Sequence, residues 1–158
     1  MARQLWFLRH GEAVPHGTCP DADRRLTARG EEQATVAGRA LTALGCDFVH
    51  AFTSPRVRAR DTARLAAGPL KVEPVEHAAL ASGFTRADAL ELVLAIGGNE
   101  RLLVVGHEPD FSQVIYDLTG ARVDFKKGGV ACVRMEQTSG GELIVLLRPR
   151  ELAAIAGA

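Results

Sequence analysis

Leu5-Trp6-Phe7-Leu8-Arg9-His10-Gly11 is an apolar run that stops abruptly at an arginine, a histidine and a glycine. Such a run is typical of a buried strand, and the polar triplet predicts that the strand ends there and passes into a loop. A guanidinium can bind phosphate oxygens in a bidentate manner. A neutral imidazole can attack phosphorus and carry the phosphoryl group, and glycine lets the backbone come close to a ligand. The stretch therefore predicts a phosphate site in which Arg9 and Gly11 bind the anion and His10 attacks it.

Two further apolar runs end in residues of the same chemistry. Ser54-Pro55-Arg56-Val57-Arg58-Ala59 follows the second run, and Val104-Val105-Gly106-His107-Glu108-Pro109 contains the end of the third. Ligands of α/β folds bind beyond the carboxyl ends of the strands. We therefore expect three strand ends to present two arginines and two histidines to one crevice. On the alternative interpretation, each of these side chains is an ordinary loop, core or surface residue.

The second stretch indicates the start of a helix, with Ser54 as the N-cap and Pro55 at the first position. The free N–H groups of a helix N-terminus favour anions, so an arginine in the first turn would lie near a bound phosphate. Arg58 fits this position, and Arg56 is the competing candidate. His107 is predicted to be a second phosphate contact that stabilises charge on the transferred group.

Strand-like and helix-like stretches alternate along the chain, which predicts an α/β fold. The predicted strands are residues 5–8, 47–52, 71–75, 101–105, 130–136 and 142–147. The predicted helices run from Thr27 to Gly45 and over residues 56–67, 85–96 and 110–118. Thr138-Ser139-Gly140-Gly141 indicates a hairpin between the last two strands. We expect one domain over residues 1–158, a three-layer sandwich with a mainly parallel sheet, an antiparallel edge and helices on both faces.

Composition narrows the function classes. The 158 residues are 47% apolar, and 19 basic residues balance 19 acidic ones. These values predict a globular domain without overall affinity for nucleic acid or membrane. No apolar stretch approaches the roughly 20 residues of a membrane span, and Met1-Ala2-Arg3-Gln4 leaves no room for a signal peptide before the first strand. We therefore expect a cytoplasmic protein.

The metal-ligating residue types form no known binding motif. Three cysteines are scattered along the chain and no CxxC occurs, so we expect reduced thiols rather than disulfides or a zinc site. His16, Cys19, Asp21 and Asp23 are close together, but their spacing matches no zinc or calcium pattern. We expect no metal and no cofactor, and we expect the loop 14–25 to border the substrate entrance.

The motifs together resemble those of the histidine phosphatase superfamily, which has a phosphoglycerate mutase-like fold, and above all its short SixA-type phosphohistidine phosphatase branch. The resemblance runs to about residue 147 and is carried by residues 8–13 (LRHGEA), 24–30 (RRLTARG), 53–63 (TSPRVRARDTA) and 104–109 (VVGHEP). It implies that His10 is the phosphorylated nucleophile. It also implies that Arg9, Arg58 and His107 form the phosphate pocket, and the choice of Arg58 over Arg56 rests on this resemblance.

One departure from the family bears on the substrate. Larger members carry a glutamate general acid soon after the third strand, whereas residues 79–83 (ALASG) of this chain contain no carboxylate. A phosphate ester needs its alkoxide leaving group protonated, while the imidazole of a phosphohistidine leaves as a neutral base. The carboxylates that could still supply a proton are Glu12, Glu76, Asp61 and Glu108.

The stretch between residues 75 and 101 has room for one helix and none for a lid. An uncovered pocket can admit a histidine displayed on another protein, whereas small substrates gain from a loop that excludes water. The predicted function is therefore a phosphohistidine phosphatase that acts on a phosphorylated protein, such as a phosphotransfer domain. The alternatives are a phosphatase of small phosphate esters or phosphoramidates, a non-catalytic phosphohistidine-binding module and a nucleotide-binding α/β domain. The oligomeric state is left open.

Overall fold

Strand β1 (Arg3–Arg9) lies inside a six-stranded sheet in the computed structural model, which describes residues 2–158. The other strands are β2 (His50–Thr53), β3 (Pro74–Glu76), β4 (Arg101–Gly106), β5 (Val130–Met135) and β6 (Glu142–Leu147). Their order across the sheet is β3-β2-β4-β1-β5-β6. Strands β1 to β4 run parallel, and β5 is antiparallel to both β1 and β6. Met1 lies outside the described residues.

Helices cover both faces of this sheet. Within residues 2–158 the α-helices are α1 (Ala28–Ala43), α2 (Val57–Leu70), α3 (Arg86–Val93), α4 (Asp110–Thr119) and α5 (Pro149–Ala156). Successive side chains of a strand point to opposite faces. Leu5 and Phe7 of β1 therefore pack with α3 and α4, and Trp6 and Leu8 pack with α1, α2 and α5. The predicted three-layer α/β sandwich, with a mainly parallel sheet and an antiparallel edge, is confirmed.

The parallel strands end side by side. Arg9 pairs with Gly106 at the ends of β1 and β4, and Thr53 pairs with Val105 at the end of β2. The residues that follow these strands leave the sheet at one edge, and they are His10, Ser54 and His107. Strand β1 separates the parallel strand β4 from the antiparallel strand β5. In α/β sheets ligands bind outside the carboxyl ends of the parallel strands, which is where these three residues lie.

Several predicted boundaries differ from the structure. Helix α2 continues through Pro69 to Leu70 instead of stopping before Gly68, because the proline lies in the last turn and interrupts only the end of the helix. Lys71 then ends α2 in the left-handed conformation, with a φ of 55°. This turn delays the third strand, so β3 is shorter than predicted. Helix α2 also begins one residue later than expected, β2 starts at His50, and α3 ends three residues before Ile96.

Helix α5 lies beyond the predicted elements, although its sequence carries the usual signals. Pro149 occupies the first turn, the Glu151 carboxylate accepts a hydrogen bond from the Arg148 N–H at 2.9 Å, and Gly157 ends the helix with a φ of 72°. Leu152 anchors the helix in the core shared with α1 and α2. The predicted hairpin before it is confirmed by the antiparallel pairing of β5 with β6.

Candidate active site

The common edge of the parallel strands brings His10 and His107 together. The His10 N–H donates to the Gly106 carbonyl at 3.1 Å, and the Ser54 N–H donates to the Val105 carbonyl at 3.0 Å. The centroids of the two imidazole rings lie 5.2 Å apart. Both histidines are buried, with 5% and 7% of their surface exposed. Two strand ends that are 97 residues apart in sequence therefore supply one pair of neighbouring imidazoles.

A hydrogen bond fixes the protonation of the His10 ring. Its Nδ1 lies 2.7 Å from the Gly11 carbonyl oxygen. Because a carbonyl oxygen only accepts hydrogen bonds, Nδ1 carries the proton and Nε2 keeps its lone pair. No hydrogen-bond partner occupies Nε2 within residues 2–158. The ring is therefore held in its neutral form, and its free nitrogen is Nε2.

Both histidines are kept neutral by their surroundings. Burial lowers the pKa of His10 to about 3, although its backbone hydrogen bond works in the opposite direction. The charges of Arg58, Arg9 and Lys127 contribute to this lowering of the pKa. Burial also lowers the pKa of His107 to about 3, and the neighbouring His10 and Arg58 add to the effect. Neither ring is charged at neutral pH, and both arginines lie close enough to influence His10.

The Ser54 hydroxyl holds the second imidazole. Ser54 is fully buried, and its Oγ lies 2.7 Å from Nε2 of His107. The same Oγ accepts a hydrogen bond from the Arg56 N–H at 3.1 Å. Arg56, not Ser54, is the N-cap of α2, which corrects the predicted cap. The Ser54 hydroxyl can donate its proton to Nε2 of His107, and the ring then carries its own proton on Nδ1. This Nδ1 atom is buried and has no hydrogen-bond partner among the described residues.

Arg9 and Arg58 bring guanidinium groups to the same edge. A terminal nitrogen of Arg9 donates to the Phe125 carbonyl at 2.8 Å. Both terminal nitrogens of Arg58 donate to Asp21. The Nε of each arginine is buried and has no partner in the described part of the chain. Burial lowers the pKa of both arginines, but a guanidinium stays charged in proteins. The edge therefore holds two cations with unused donors.

Asp21 is a pocket residue that the motifs do not reveal, since the sequence shows it only within a cluster whose spacing matches no metal site. Its carboxylate contacts Arg24 at 3.0 Å, Arg58 at 3.2 Å and also Arg56. Its backbone carbonyl accepts a further hydrogen bond from Arg58 at 2.8 Å. Burial alone would raise the pKa of Asp21, but the hydrogen bond from Arg24 and the charge of Arg58 hold it below its usual value. Through Asp21, the loop 14–25 borders the site.

Gly11 has a packing role in the structure. A Cβ at this position would lie 2.5 Å from the carbonyl oxygen of Gly30 in α1. The Gly11 N–H donates to the Thr62 hydroxyl at 3.0 Å, so this donor already has a partner. The glycine thus lets the loop after β1 touch the first turn of α1, and its carbonyl orients His10.

The carboxylates considered as proton donors have other roles or positions. Glu12 and Glu108 accept hydrogen bonds from residues near the N-terminal ends of α1 and α4. Asp61 pairs with arginines of its own helix, and Glu76 is exposed at the end of β3. None of the four has a hydrogen bond to His10 or His107 within residues 2–158. A free general acid at the histidine pair is therefore not part of the described site.

Two further kinds of feature bear on function, a metal cluster and a membrane-spanning helix. Within residues 2–158, no group of three His, Cys, Asp or Glu side chains is placed to hold a metal ion. Nor does this part of the chain include a helix of the length and apolarity needed to cross a bilayer. The three cysteines are free thiols, of which Cys19 is exposed and the other two are buried.

Comparison with known proteins identifies the family. The family model described as histidine phosphatase superfamily (branch 1) matches residues 5–82. An uncharacterized protein of Picosynechococcus sp. is 30% identical over 94% of this chain and 98% of its own length. The chain belongs to the histidine phosphatase superfamily. It is accordingly a phosphatase, and the matched residues include Arg9, His10 and Arg58.

Two solved structures share the fold over nearly the whole chain. The protein histidine phosphatase SixA, complexed with tungstate, aligns with a TM-score of 0.83 at 20% identity, covering 94% of this chain and 99% of that one. A phosphoglycerate mutase from Bacillus anthracis aligns with a TM-score of 0.75 at 18% identity, covering 99% of this chain and 97% of that one. The predicted resemblance to the phosphoglycerate mutase-like fold and to SixA is confirmed at the level of the fold.

Proposed function

We propose that this histidine phosphatase removes the phosphoryl group from phosphohistidine on a protein, through a covalent intermediate on His10. The proposal rests on a set of buried donors without partners around a neutral imidazole. These donors are Nε of Arg9, Nε of Arg58 and Nδ1 of His107. An unpaired buried N–H destabilises a protein unless a ligand binds it. A phosphoryl group offers an oxygen to each donor, and the two guanidiniums offset its charge.

The first chemical step moves the phosphoryl group to His10. The lone pair of Nε2 attacks phosphorus in line with the leaving nitrogen. A new N–P bond forms as the N–P bond of the substrate breaks, and the substrate imidazole, protonated at its other nitrogen, leaves as a neutral base. His10 becomes a phosphorylated imidazolium. The Gly11 carbonyl, 2.7 Å from Nδ1, stabilises the positive charge and keeps the ring in line.

Water completes the reaction in a second step. A water oxygen attacks phosphorus, the N–P bond of phospho-His10 breaks, and the electron pair returns to Nε2. Both protons of the water leave with inorganic phosphate, so His10 regains its neutral form with Nδ1 protonated. Arg9, Arg58 and His107 hold the phosphoryl oxygens in both steps, and catalysis comes mainly from positioning and charge stabilisation.

The acidic side chains at the pocket favour phosphohistidine over a phosphate ester. Asp21 is the carboxylate that contacts Arg58, and its lowered pKa keeps it ionised at neutral pH. An alkoxide leaving group would need a proton from such a group, whereas a neutral imidazole needs none. The same three donors would also bind a small phosphate ester or phosphoramidate, so an enzyme acting on small molecules is the second candidate.

The test compares phosphate release from a phosphotransfer domain phosphorylated on histidine with release from a panel of sugar phosphates. We expect the phosphohistidine protein to give the higher kcat/KM, and we expect labelled phosphate to be trapped on His10. Full activity of a His10→Ala variant would overturn the mechanism. A higher kcat/KM on sugar phosphates would favour the small-molecule enzyme, and binding without any phosphate release would favour a phosphohistidine-binding module.

A further inference from the structure

A basic groove adjoins the phosphoryl pocket at Arg9. Its cavity has a volume of about 440 Å³. The walls come from the end of β1, the start of α1, the loop before β5 and the start of α5. The cationic residues of this basic groove are Arg9, Arg29, Lys126, Lys127, Arg148 and Arg150. Since Arg9 belongs to both the groove and the pocket, a ligand in one lies next to a ligand in the other.

Backbone contacts fix the groove against the catalytic histidine. The Gly128 N–H donates to the carbonyls of Arg9 and His10, at 3.1 and 2.9 Å. The Arg9 side chain donates to the Phe125 carbonyl at 2.8 Å. These bonds flank Lys126 and Lys127, so the backbone of both lysines is anchored beside His10. The charge of Lys127 accordingly influences the His10 ring.

The groove is strongly basic although the chain as a whole is neutral. Six cations line it with one carboxylate, that of Glu12, which accepts a hydrogen bond from a threonine hydroxyl. Two further carboxylates do not line the groove but form ion pairs with its cations. Asp124 pairs with Lys126, and Glu151 pairs with Arg148 and Arg150. With these and with Glu108, whose charge also acts on Arg9, six positive groups stand against four negative ones, and two positive charges remain in excess. Arg29 and Lys127 have no ion pair within residues 2–158.

We propose that the basic groove binds carboxylate side chains that surround the phosphohistidine of the protein substrate. The enzyme then prefers proteins whose phosphorylated histidine lies on an acidic surface. This proposal rests on the proposed function and adds the class of protein surface that the enzyme selects.

The exposure of the cations favours a protein surface over a small polyanion. The side chains of Lys126, Arg148 and Arg150 are 54%, 53% and 78% exposed. Each contact that such a solvated cation makes is weak, and the buried donors without partners in residues 2–158 all belong to the phosphoryl pocket. Several weak contacts spread over a surface suit a folded partner, and their combined field raises its association rate.

Charge reversal in the groove tests the proposal. The variant combines Arg29→Glu with Arg150→Glu, both at exposed positions, and glutamate at residue 29 also suits the N-terminal turn of α1. The measured quantity is kcat/KM on a histidine-phosphorylated phosphotransfer domain with an acidic face, divided by kcat/KM on free phosphohistidine. We expect this ratio to fall about tenfold or more and the wild-type ratio to fall as salt is raised.

A matched control reverses two cations outside the groove. Arg39→Glu combined with Lys71→Glu changes the net charge by the same amount, and Arg39 lies on the same helix as Arg29. We expect this control to leave the ratio unchanged. A second test changes the substrate: the carboxylates around the phosphohistidine of the phosphotransfer domain are neutralised. We expect this change to lower the kcat/KM ratio of the wild-type enzyme, as the groove substitutions do.

The outcomes separate the two proposals. If the wild-type enzyme turns over the phosphorylated protein and the groove variant has the same ratio of kcat/KM values as the wild type, the groove proposal alone is contradicted. An equal fall in the groove and control variants contradicts it as well, because net charge would then explain the effect. Wild-type enzyme that releases no phosphate from the phosphorylated protein contradicts the proposed function and the groove proposal together.

Discussion

Asp21 binds Arg58 through two groups at once. Its carboxylate accepts a hydrogen bond at 3.2 Å and its backbone carbonyl accepts another at 2.8 Å, each from a different terminal nitrogen of the guanidinium. The pair fixes the plane of the arginine before any phosphate binds. The carboxylate also places a negative charge beside the pocket, so it orders the arginine and weakens anion binding at the same time.

An Asp21→Asn variant should separate these two effects. We expect inorganic phosphate to inhibit the variant more tightly, by roughly fivefold or about 1 kcal/mol, because a nearby negative charge is gone. We expect kcat to fall about tenfold, because Arg58 loses a charged partner and its orientation. Steady-state kinetics with product inhibition measures both. Asp23→Asn is the matched control, because Asp23 is exposed and lies on the same 3₁₀ turn as Asp21, which spans Asp21–Asp23. Weaker phosphate inhibition with unchanged kcat would contradict this role.

A Ser54→Ala variant should release the second imidazole. The 2.7 Å contact between Ser54 Oγ and Nε2 of His107 would be lost, and kcat should fall about tenfold, because the ring would no longer be held in one orientation. The test is a double-mutant cycle with His107→Ala. If Ser54 acts through the imidazole, the serine substitution has no further effect on kcat in the His107→Ala background. Additive effects would show that Ser54 acts on its own.

Stability should decrease as the pH falls between about 6.5 and 3. The rings of His10 and His107 take up protons in the unfolded chain near their ordinary pKa of 6.5, but in the folded protein only near a pKa of about 3. Between these values the unfolded state binds more protons, so acidification favours unfolding. Urea unfolding at a series of pH values measures the slope. His10→Gln should reduce it by up to about 1.4 kcal/mol per pH unit, and His50→Gln, at an exposed position, is the control. An unchanged slope in His10→Gln would show that the buried imidazole is not the source of the pH dependence.

The sequence predicts those parts of the site that depend on strand ends. Each apolar run stops at a polar residue, and the alternation of strands and helices places Arg9, His10 and His107 at one edge without knowledge of any long-range contact. The strand-end pattern does not choose between Arg56 and Arg58, because both lie near the start of α2. The structure favours Arg58, because its side chain is 6% exposed whereas that of Arg56 is 29% exposed.

Asp21 shows where local patterns stop being informative. Its nearest signal is the pairing with Arg24 three residues later, which is common in surface turns. Its contact with Arg58 spans 37 residues and depends on how the loop 14–25 folds back over α2. Helix α5 is the opposite case, because its local helix signals, Pro149 and Glu151, are present in the sequence. Its packing is slight by comparison, since only one of its side chains is fully buried.

A Gly11→Ala variant should lose stability because of a backbone clash. The added Cβ would lie 2.5 Å from the Gly30 carbonyl oxygen, so the loop after β1 and the first turn of α1 would have to separate. We expect a loss of about 3 kcal/mol or more in the free energy of unfolding, measured with urea. Gly97→Ala is the control, because its nearest neighbour is the end of the flexible Glu100 side chain, and its effect should stay within about 0.5 kcal/mol. Equal stabilities of the two variants would mean that the contact between Gly11 and Gly30 does not constrain the loop that carries His10.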